Sequence, residues 1–288
     1  MPAETGLFVA LTVDVDPDAN RAVPGRPDAV TAGTRPEEAR VDACLEGLAI
    51  LADALQQTGL PATLFWEGRT LEELAVRDAG LLEHLCSFSV EHGCHSYQHE
   101  DFAGRETGLP LDVDATRTIM QRAGRTFRSV FGRAPRGFRA PYCRLTPALR
   151  QVLAELGYRY DASNTRSVSE EWCGRPYRLE EGGWELALGR SQDTDGRSIS
   201  SYLWQMFEGN RPVDDYVQLA RSFGEVCPGG LLSLAMHPWH LVVSAANEPL
   251  GEAGVDARGT LTSLLQELSA AEGLAFTTLQ DYLSRHQE

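Results

Sequence analysis

The chain has 288 residues, of which 42% are hydrophobic and 23% charged, and these proportions are typical of a globular protein large enough to bury a core. Its 26 basic and 41 acidic residues leave a net charge of −15, which argues against a general binder of nucleic acid or anionic membranes. The sequence contains no lysine, which excludes Schiff-base, P-loop and Ser–Lys chemistry.

Short apolar runs alternate with amphipathic stretches along most of the chain. The runs predict strands at residues 7–15, 61–66, 88–95, 137–140, 158–162, 184–188, 231–236 and 274–278. Helical spacing predicts helices at residues 41–58, 113–131, 146–156, 213–226 and 260–271. This alternation indicates a single α/β domain with a parallel sheet of about seven strands, interrupted by an insertion at about residues 163–212. In such a protein, chemistry is expected at the C-terminal ends of the strands.

The N-terminal sequence carries no basic segment typical of a signal peptide, and no apolar run approaches the ~20 residues of a membrane span. We therefore expect a cytoplasmic location without membrane insertion. The cysteines form no C-x-x-C pair, so we expect reduced thiols. They are Cys44, Cys86, Cys94, Cys143, Cys173 and Cys227. A cysteine nucleophile at Cys94 or Cys143 is conceivable, because each adjoins a candidate site segment.

Two histidines four residues apart, His95 and His99, follow the third predicted strand. One turn of helix would place both imidazoles on one face, where they could bind one divalent ion. The alternative is that the spacing arises by chance and one histidine is an ordinary hydrogen-bonded loop residue. Ser96 stands where the zincin motif requires glutamate, which argues against a metallopeptidase of that type.

Asp14 and Asp16 close the first predicted strand. Alternation along an extended strand sends both carboxylates to the same side, so one could bind a metal ion while the other serves as a base. The alternative is a plain Asx-turn before Pro17, and Asp18 could replace either carboxylate.

Two further segments at predicted strand ends carry candidate groups. Arg139 could hold a carboxylate ionised, and the backbone after Pro141 could direct an N–H towards a developing oxyanion. His237 emerges from a run apolar enough for a buried strand and is a candidate general acid, with His240 as the competing choice. The alternative for Arg139 is an ordinary ion pair beside a proline turn.

In this order, the motifs resemble those of the NodB-homology polysaccharide deacetylases. The five matching segments are Thr12–Asp16, His95–His99, Arg139–Tyr142, Tyr160–Ser163 and Leu234–Pro238. The resemblance covers about residues 7–285 and implies a distorted (β/α) barrel of about seven parallel strands. One segment departs from the usual family pattern, because Val15 separates the aspartates and Pro17 follows them. This Asp-Val-Asp form resembles that of intracellular family members.

The resemblance implies metal-dependent hydrolysis of an N-acyl amide, typically an N-acetyl group. It assigns one divalent ion to Asp16, His95 and His99. Zinc is the expected metal, and cobalt, nickel, manganese or iron are alternatives.

The resemblance also implies the roles of five other residues. Asp14 is the base that activates the hydrolytic water, and Arg139 orients Asp14. The backbone N–H of Tyr142 stabilises the oxyanion. His237 protonates the departing amine, and Asp161 supports His237. Because of the valine between them, the roles of Asp14 and Asp16 remain open to exchange.

The expected substrate is a small N-acylated amino sugar, nucleotide-linked sugar or natural-product intermediate. A second hypothesis is a ring-opening hydrolase of cyclic ureides or imides on the same scaffold. A third is a catalytically silent carbohydrate-binding protein that kept the barrel. No nucleic-acid partner is expected. A homo-oligomer stays open, because oligomerisation often completes the pocket in proteins of this family.

Overall fold

A curled, mostly parallel sheet with helices packed around it forms the fold. The structure is a computed structural model that describes residues 6–18, 37–168, 172, 174–193, 195–246, 248–251 and 256–286. Cys173 lies outside these residues, and no disulfide joins the other five cysteines within the described part of the chain. Within the described ranges, no helix combines the length and the apolar character that crossing a bilayer requires.

Twelve strands and nine α-helices can be assigned in the described part of the chain. The strands are β1 (Leu7–Val15), β2 (Ala62–Trp66), β3 (Val90–Cys94), β4 (Gly137–Phe138), β5 (Tyr160–Asp161), β6 (Thr165–Ser167), β7 (Tyr177–Arg178), β8 (Trp184–Glu185), β9 (Leu188–Gln192), β10 (Ser198–Ser200), β11 (Gly230–Met236) and β12 (Leu274–Phe276). The helices are α1 (Glu37–Thr58), α2 (Gly68–Arg77), α3 (Ala79–Cys86), α4 (Val113–Phe131), α5 (Pro147–Glu155), α6 (Trp204–Phe207), α7 (Val213–Val226), α8 (Ala257–Ala270) and α9 (Leu279–Arg285).

The main sheet has the order β11-β1-β2-β3-β4-β5-β8-β7, and β12 pairs with the first three residues of β1. All of these pairings are parallel except the one between β7 and β8. The predicted parallel α/β architecture and the distorted barrel are therefore confirmed. β1 is buried on both faces, which explains why its sequence is almost continuously apolar.

Within residues 163–212, strands β6, β9 and β10 form a second sheet, whereas β7 and β8 belong to the main sheet. The strand order of the second sheet is β10-β9-β6, with β6 following β5 directly along the chain. Beyond β10, the chain pairs with β11: the Leu203 N–H donates to the Ala235 carbonyl at 2.8 Å, and the Ala235 N–H donates to the Ser201 carbonyl at 2.9 Å. The gap between β5 and β11 is thereby bridged by this segment.

The prediction of one continuous strand at residues 184–188 is wrong. The run at residues 184–188 contains all of β8 and the first residue of β9, which belong to different sheets. The Leu186 N–H donates to the Asp161 carbonyl, but the Leu188 N–H donates to the Asn164 carbonyl. The apolar run shows that this segment is buried, but it carries no signal for the change of pairing partner.

Two close contacts fix elements that carry the site. A Cβ added to Gly47 in α1 would lie 1.9 Å from the carbonyl oxygen of Pro238, so only glycine allows this approach of the helix to the turn after β11. At the opposite end of the sheet, the buried Glu91 carboxylate accepts hydrogen bonds from the hydroxyls of Thr63 and Tyr160 and from the Gln280 N–H. These bonds attach α9 to the bottom of the barrel.

Candidate active site

A cavity of 420 Å³ opens at the C-terminal ends of the parallel strands, where the sequence predicted the chemistry. It is lined by Asp14, Asp18, His95, His99, Ala140, Tyr142, Cys143, Tyr202, Trp204, His237, Trp239, His240 and Ala245. These residues come from the ends of β1, β3, β4 and β11 and from the segment that follows β10.

The loops around this cavity hold strained backbone. Among the described residues, five that are not glycine adopt positive φ angles, and all lie in three loops at the site. They are Asp18 (45°), Ser96 (62°), His99 (55°), Tyr142 (58°) and Cys143 (52°). Such conformations cost of order 1–3 kcal/mol each and persist only where surrounding contacts enforce them. Their concentration at one cavity is typical of a functional site.

Asp16, His95 and His99 form a compact, buried cluster whose ligand atoms all lie within 4.8 Å of one another. His95 Nε2 lies 3.4 Å from Asp16 Oδ2, and His99 Nε2 lies 3.8 Å from Asp16 Oδ1. Two ligand atoms bound tetrahedrally to one zinc ion at 2.0–2.1 Å would be about 3.3 Å apart. The spacing of this cluster therefore matches a metal site better than it matches direct hydrogen bonds.

The protonation of His95 supports the same conclusion. Its Nδ1 lies 2.8 Å from the carbonyl oxygen of Arg139, which can only accept, so Nδ1 carries the proton. Burial lowers the pKa of His95, which leaves Nε2 with a lone pair. That lone pair faces the Asp16 carboxylate, and among the described residues neither Nε2 nor Asp16 Oδ2 has a hydrogen-bond partner. Two buried acceptors in contact repel each other unless a cation lies between them.

Asp16 also makes the Asx-type turn that was the alternative interpretation of the sequence. Its Oδ1 accepts the Asp18 N–H at 2.6 Å, while Oδ2 faces the histidines. Burial, together with the charges of Asp18, Glu67 and Asp14, raises the pKa of Asp16 well above its usual value. Because this environment disfavours an isolated negative charge, a bound cation would stabilise the ionised Asp16 carboxylate.

The predicted helical turn at His95–His99 is wrong, although the two imidazoles do converge. Residues 96–98 form a tight turn, and the Glu100 carboxylate holds it by accepting the backbone N–H groups of Tyr97 at 3.1 Å and Gln98 at 3.0 Å. The left-handed backbone at Ser96 and His99 reverses the chain within four residues. Glu100 was missed in the sequence, and a carboxylate directly after the second histidine was the available signal.

Asp14 is held by a fully buried arginine. Arg139 Nη1 donates to Asp14 Oδ1 at 2.8 Å, and Arg139 Nε donates to the Ala162 carbonyl at 2.9 Å. Burial alone would raise the pKa of Asp14, but the Arg139 guanidinium, followed by His95 and His237, outweighs it and keeps the pKa below its usual value. Asp14 is therefore ionised beside the cluster of Asp16, His95 and His99, and a general base must be ionised.

His237 lies on the other side of Asp16, with its Nε2 3.5 Å from Asp16 Oδ2. Burial, with smaller contributions from His95, Arg40 and Arg139, lowers the pKa of His237 to about 4 against the opposing effect of Asp14. Its ring is therefore neutral at pH 7. His240 also lines the cavity, but burial lowers its pKa to about 2, which makes it the weaker candidate for an acid.

Tyr202 is the cavity residue that the sequence analysis missed. Its hydroxyl lies 2.8 Å from His237 Nδ1 and 3.3 Å from Asp14 Oδ2. Trp204, two residues later, lines the same cavity. The only available signal was an aromatic pair within a polar stretch, because no recognisable motif surrounds them.

Asp161 does not occupy the predicted place beside His237. Its carboxylate accepts the N–H and the hydroxyl of Ser163, both at 2.8 Å, and is hydrogen-bonded to the buried Glu185 of the next strand. The strand order separates β5 from β11, and the segment after β10 inserts Tyr202 against His237 instead. The expected Asp161–His237 support is therefore not formed among the described contacts. Burial, together with the charge of Asp161, raises the pKa of Glu185 well above its usual value.

The segment after β4 places the Tyr142 ring against His99 of the candidate metal site. Tyr142 lies in a short 3₁₀ turn over residues Pro141–Cys143, and its ring packs against His99 with centroids 4.6 Å apart. Burial raises the pKa of the Cys94 and Cys143 thiols to about 12, so neither supplies the thiolate that a cysteine nucleophile requires.

The sequence matches the family model described as polysaccharide deacetylase over residues 42–160, a stretch that includes His95, His99 and Arg139. A second model, glycosyl hydrolase family 57, matches residues 109–218, a stretch that contains none of Asp16, His95 and His99. The chain is 23% identical over 190 residues to a peptidoglycan deacetylase from Helicobacter pylori. That match spans 63% of this chain and 61% of the relative's length.

Solved structures share the fold. A crystal structure from Mycobacterium smegmatis that is assigned to the polysaccharide deacetylases is 23% identical, with a TM-score of 0.67 over 99% of this chain and 91% of the other. A similarly assigned structure from Pseudomonas aeruginosa PAO1 is 16% identical, with a TM-score of 0.67 over 100% and 93%. The family match and the barrel agree with the ordered motifs at its strand ends. Over residues 42–160 the chain is therefore similar to the polysaccharide deacetylases, and it shares the fold of the solved structures assigned to them.

Proposed function

We propose that the protein is a metal-dependent hydrolase that removes an acetyl group from the nitrogen of a small amino sugar or a related intermediate. The observation that carries this proposal is the buried lone pair of His95 facing the Asp16 carboxylate, within the cavity that also contains the Arg139-bound Asp14. A cation-binding cluster beside an ionised carboxylate is the arrangement that amide hydrolysis by water requires.

Asp14 and His237 would transfer the protons of the reaction. Asp14, ionised and fixed by Arg139, would take a proton from the attacking water. His237 would deliver a proton to the amine nitrogen as the carbon–nitrogen bond breaks. Because burial lowers the pKa of His237 to about 4, its ring is neutral at rest and would receive the proton that Asp14 removes from the water before passing it to the amine nitrogen.

The site could hold one divalent ion through Asp16, His95 and His99, and a nitrogen- and carboxylate-rich set of this kind suits zinc. When bound, the ion would supply a Lewis acid that polarises the amide carbonyl. The cavity of 420 Å³ is at the small end of the range for ligand pockets, and aromatic side chains line it. Its size favours a substrate of one or two sugar rings over a long polymer.

The test is release of acetate by purified protein reconstituted with zinc or cobalt. The panel contains N-acetylglucosamine, its short oligomers, UDP-N-acetylglucosamine, allantoin and hydantoin, each with and without a chelator. We expect chelator-sensitive acetate release from at least one N-acetyl sugar. H95A and H99A should abolish both metal retention and turnover, whereas H84A, at an exposed histidine, should change neither.

Other outcomes on the same panel would contradict the proposal. Ring opening of allantoin or hydantoin that is unaffected by chelator would move the protein to the cyclic-amide hypothesis. Binding of an N-acetyl sugar without turnover by the metal-loaded protein would favour the silent carbohydrate-binding hypothesis. Undiminished acetate release by H95A would remove the proposed metal cluster from the mechanism.

A further inference from the structure

We propose that Tyr202 is a positioning residue of this active site, whose hydroxyl joins the candidate acid His237 to the candidate base Asp14. The role in catalysis rests on the proposed function, but the contact itself can be tested without any substrate. The two residues that Tyr202 joins lie on different strands, β1 and the end of β11, and approach the cavity from separate loops.

The hydroxyl of Tyr202 lies within hydrogen-bond distance of both groups. It is 2.8 Å from His237 Nδ1, 3.2 Å from Nε2 of the same ring, and 3.3 Å from Asp14 Oδ2. A carboxylate can only accept, so the hydroxyl donates its proton to Asp14 and accepts the N–H of His237 through its oxygen. Because Nδ1 makes the shorter of the two ring contacts, this arrangement assigns the ring proton to Nδ1 and leaves Nε2 as the nitrogen that exchanges a proton.

Each oxygen of Asp14 then has its own donor. Arg139 donates to Oδ1 at 2.8 Å, and Tyr202 donates to Oδ2. Two donors from different loops fix the plane of the carboxylate, whereas one alone would leave rotation about the side-chain bond. The same hydroxyl fixes the rotation of the His237 ring, whose other nitrogen faces Asp16 at 3.5 Å.

The backbone around Tyr202 is rigid enough for this role. On either side of it, Ser201 and Leu203 are hydrogen-bonded to Ala235 of β11, two residues before His237. The Tyr216 hydroxyl donates to the Tyr202 carbonyl at 3.1 Å. The tyrosine and the histidine are therefore carried by paired backbone, so their separation is set by the sheet and not by a loose loop.

The change Y202F removes one oxygen atom and retains the ring that lines the cavity. We expect kcat for acetate release to fall about 10- to 100-fold, because hydrogen bonds to charged or titrating groups carry effects of this size. KM should stay within about threefold, and the metal content and the melting temperature should be unchanged. Y177F is the matched control, because the Tyr177 hydroxyl contacts Asn164 at 3.2 Å outside the cavity.

A spectroscopic measurement tests the contact independently of activity. In protein labelled with ¹⁵N-histidine, the ring resonances of His237 are assigned by their loss in H237Q. We expect a protonated Nδ1 and an unprotonated Nε2 in the wild type, and a change of both shifts in Y202F but not in Y177F. The opposite tautomer in the wild type, or shifts unaffected by Y202F, would overturn the proposal even if no substrate were known.

A double-mutant comparison tests whether Tyr202 acts through His237. If it does, Y202F should reduce kcat clearly less in the H237A background than in the wild type, and the loss that remains in the H237A background reports the Asp14 contact. A full additive loss in that background, or wild-type kcat in Y202F alone, would refute the positioning role. Failure of the wild-type protein to release acetate from any substrate would contradict the proposed function, while the histidine shifts would still report on the contact.

Discussion

Replacing Arg139 by methionine should destabilise the protein far more than the loss of an ordinary ion pair. Arg139 is fully buried, donates to Asp14 at 2.8 Å and to the Ala162 carbonyl at 2.9 Å, and lies over the Phe65 ring at 4.6 Å. R139M leaves the Asp14 carboxylate buried without its counter-charge, and breaking a buried pair in this way costs about 3–5 kcal/mol. For 288 residues the unfolding entropy is about 0.6 kcal/mol/K, so the melting temperature should fall by about 5–8 °C.

Thermal unfolding in the presence of a chelator measures this cost without a metal ion acting as a substitute charge. R150M is the matched control, because Arg150 pairs with Glu181 where both side chains are about a quarter exposed, and such a pair contributes at most about 1 kcal/mol. D14N/R139M should recover part of the lost stability, since it removes the orphaned carboxylate, but it should stay inactive. A drop no larger than that of R150M, or additive losses in the double variant, would refute the reasoning.

Three further predictions concern the fold that supports the site. E91A should lower the free energy of unfolding by at least about 3 kcal/mol, because two buried hydroxyls and the half-buried Gln280 N–H lose their acceptor, whereas E91Q should cost about 1 kcal/mol; equal losses in urea unfolding would contradict this. Burial lowers the pKa of His92 to about 4, so the unfolded chain binds a proton first as the pH falls and stability should decrease. Between pH 7 and pH 5 the free energy of unfolding should fall by about 2 kcal/mol more in the wild type than in H92Q, whose amide oxygen can still accept the Trp66 N–H. An equal decrease in both proteins, measured by urea unfolding at the two pH values, would refute this prediction. G47A should force α1 away from Pro238, cost about 1–3 kcal/mol and lower kcat, and a variant with unchanged melting temperature and kcat would show that the contact is not tight.

Much of the fold could be predicted because its strands are buried on both faces and its main helices have one apolar face. The bounds of β1, α4 and α7 agree with the sequence pattern residue for residue. The pattern was weaker where elements are short. Helices α2, α3 and α9 were not predicted, because seven to ten residues give too few turns for a clear period.

The site segments could be predicted because parallel strands bring their C-terminal ends to one edge. That rule placed Asp14, Asp16, His95, Arg139 and His237 near one another, and the structure brings all five to one cavity or its wall. The rule contains no information about backbone between strands. The histidine pair therefore converges through a left-handed turn held by a carboxylate, not through the expected helix.

Contacts that depend on the closure of the barrel could not be predicted. Asp161 has the sequence context of a residue that supports His237, yet its strand neighbour is Glu185 and its carboxylate is bonded there. Tyr202 reaches His237 only because the segment after β10 pairs with β11 more than thirty residues further along the chain. Neither the pairing of β5 with β8 nor that of the segment after β10 with β11 produces a periodic pattern in the sequence.

Titration of metal-free protein with cobalt(II), followed by visible absorption, tests the central claim most directly. We expect one equivalent to bind with the absorption of a nitrogen- and oxygen-ligated tetrahedral or five-coordinate ion, and to be displaced by zinc. Binding should be lost in D16N, H95A and H99A and retained in H84A. An absence of stoichiometric binding by the wild type, or an unchanged spectrum in H95A, would contradict the assignment of Asp16, His95 and His99 as a metal site.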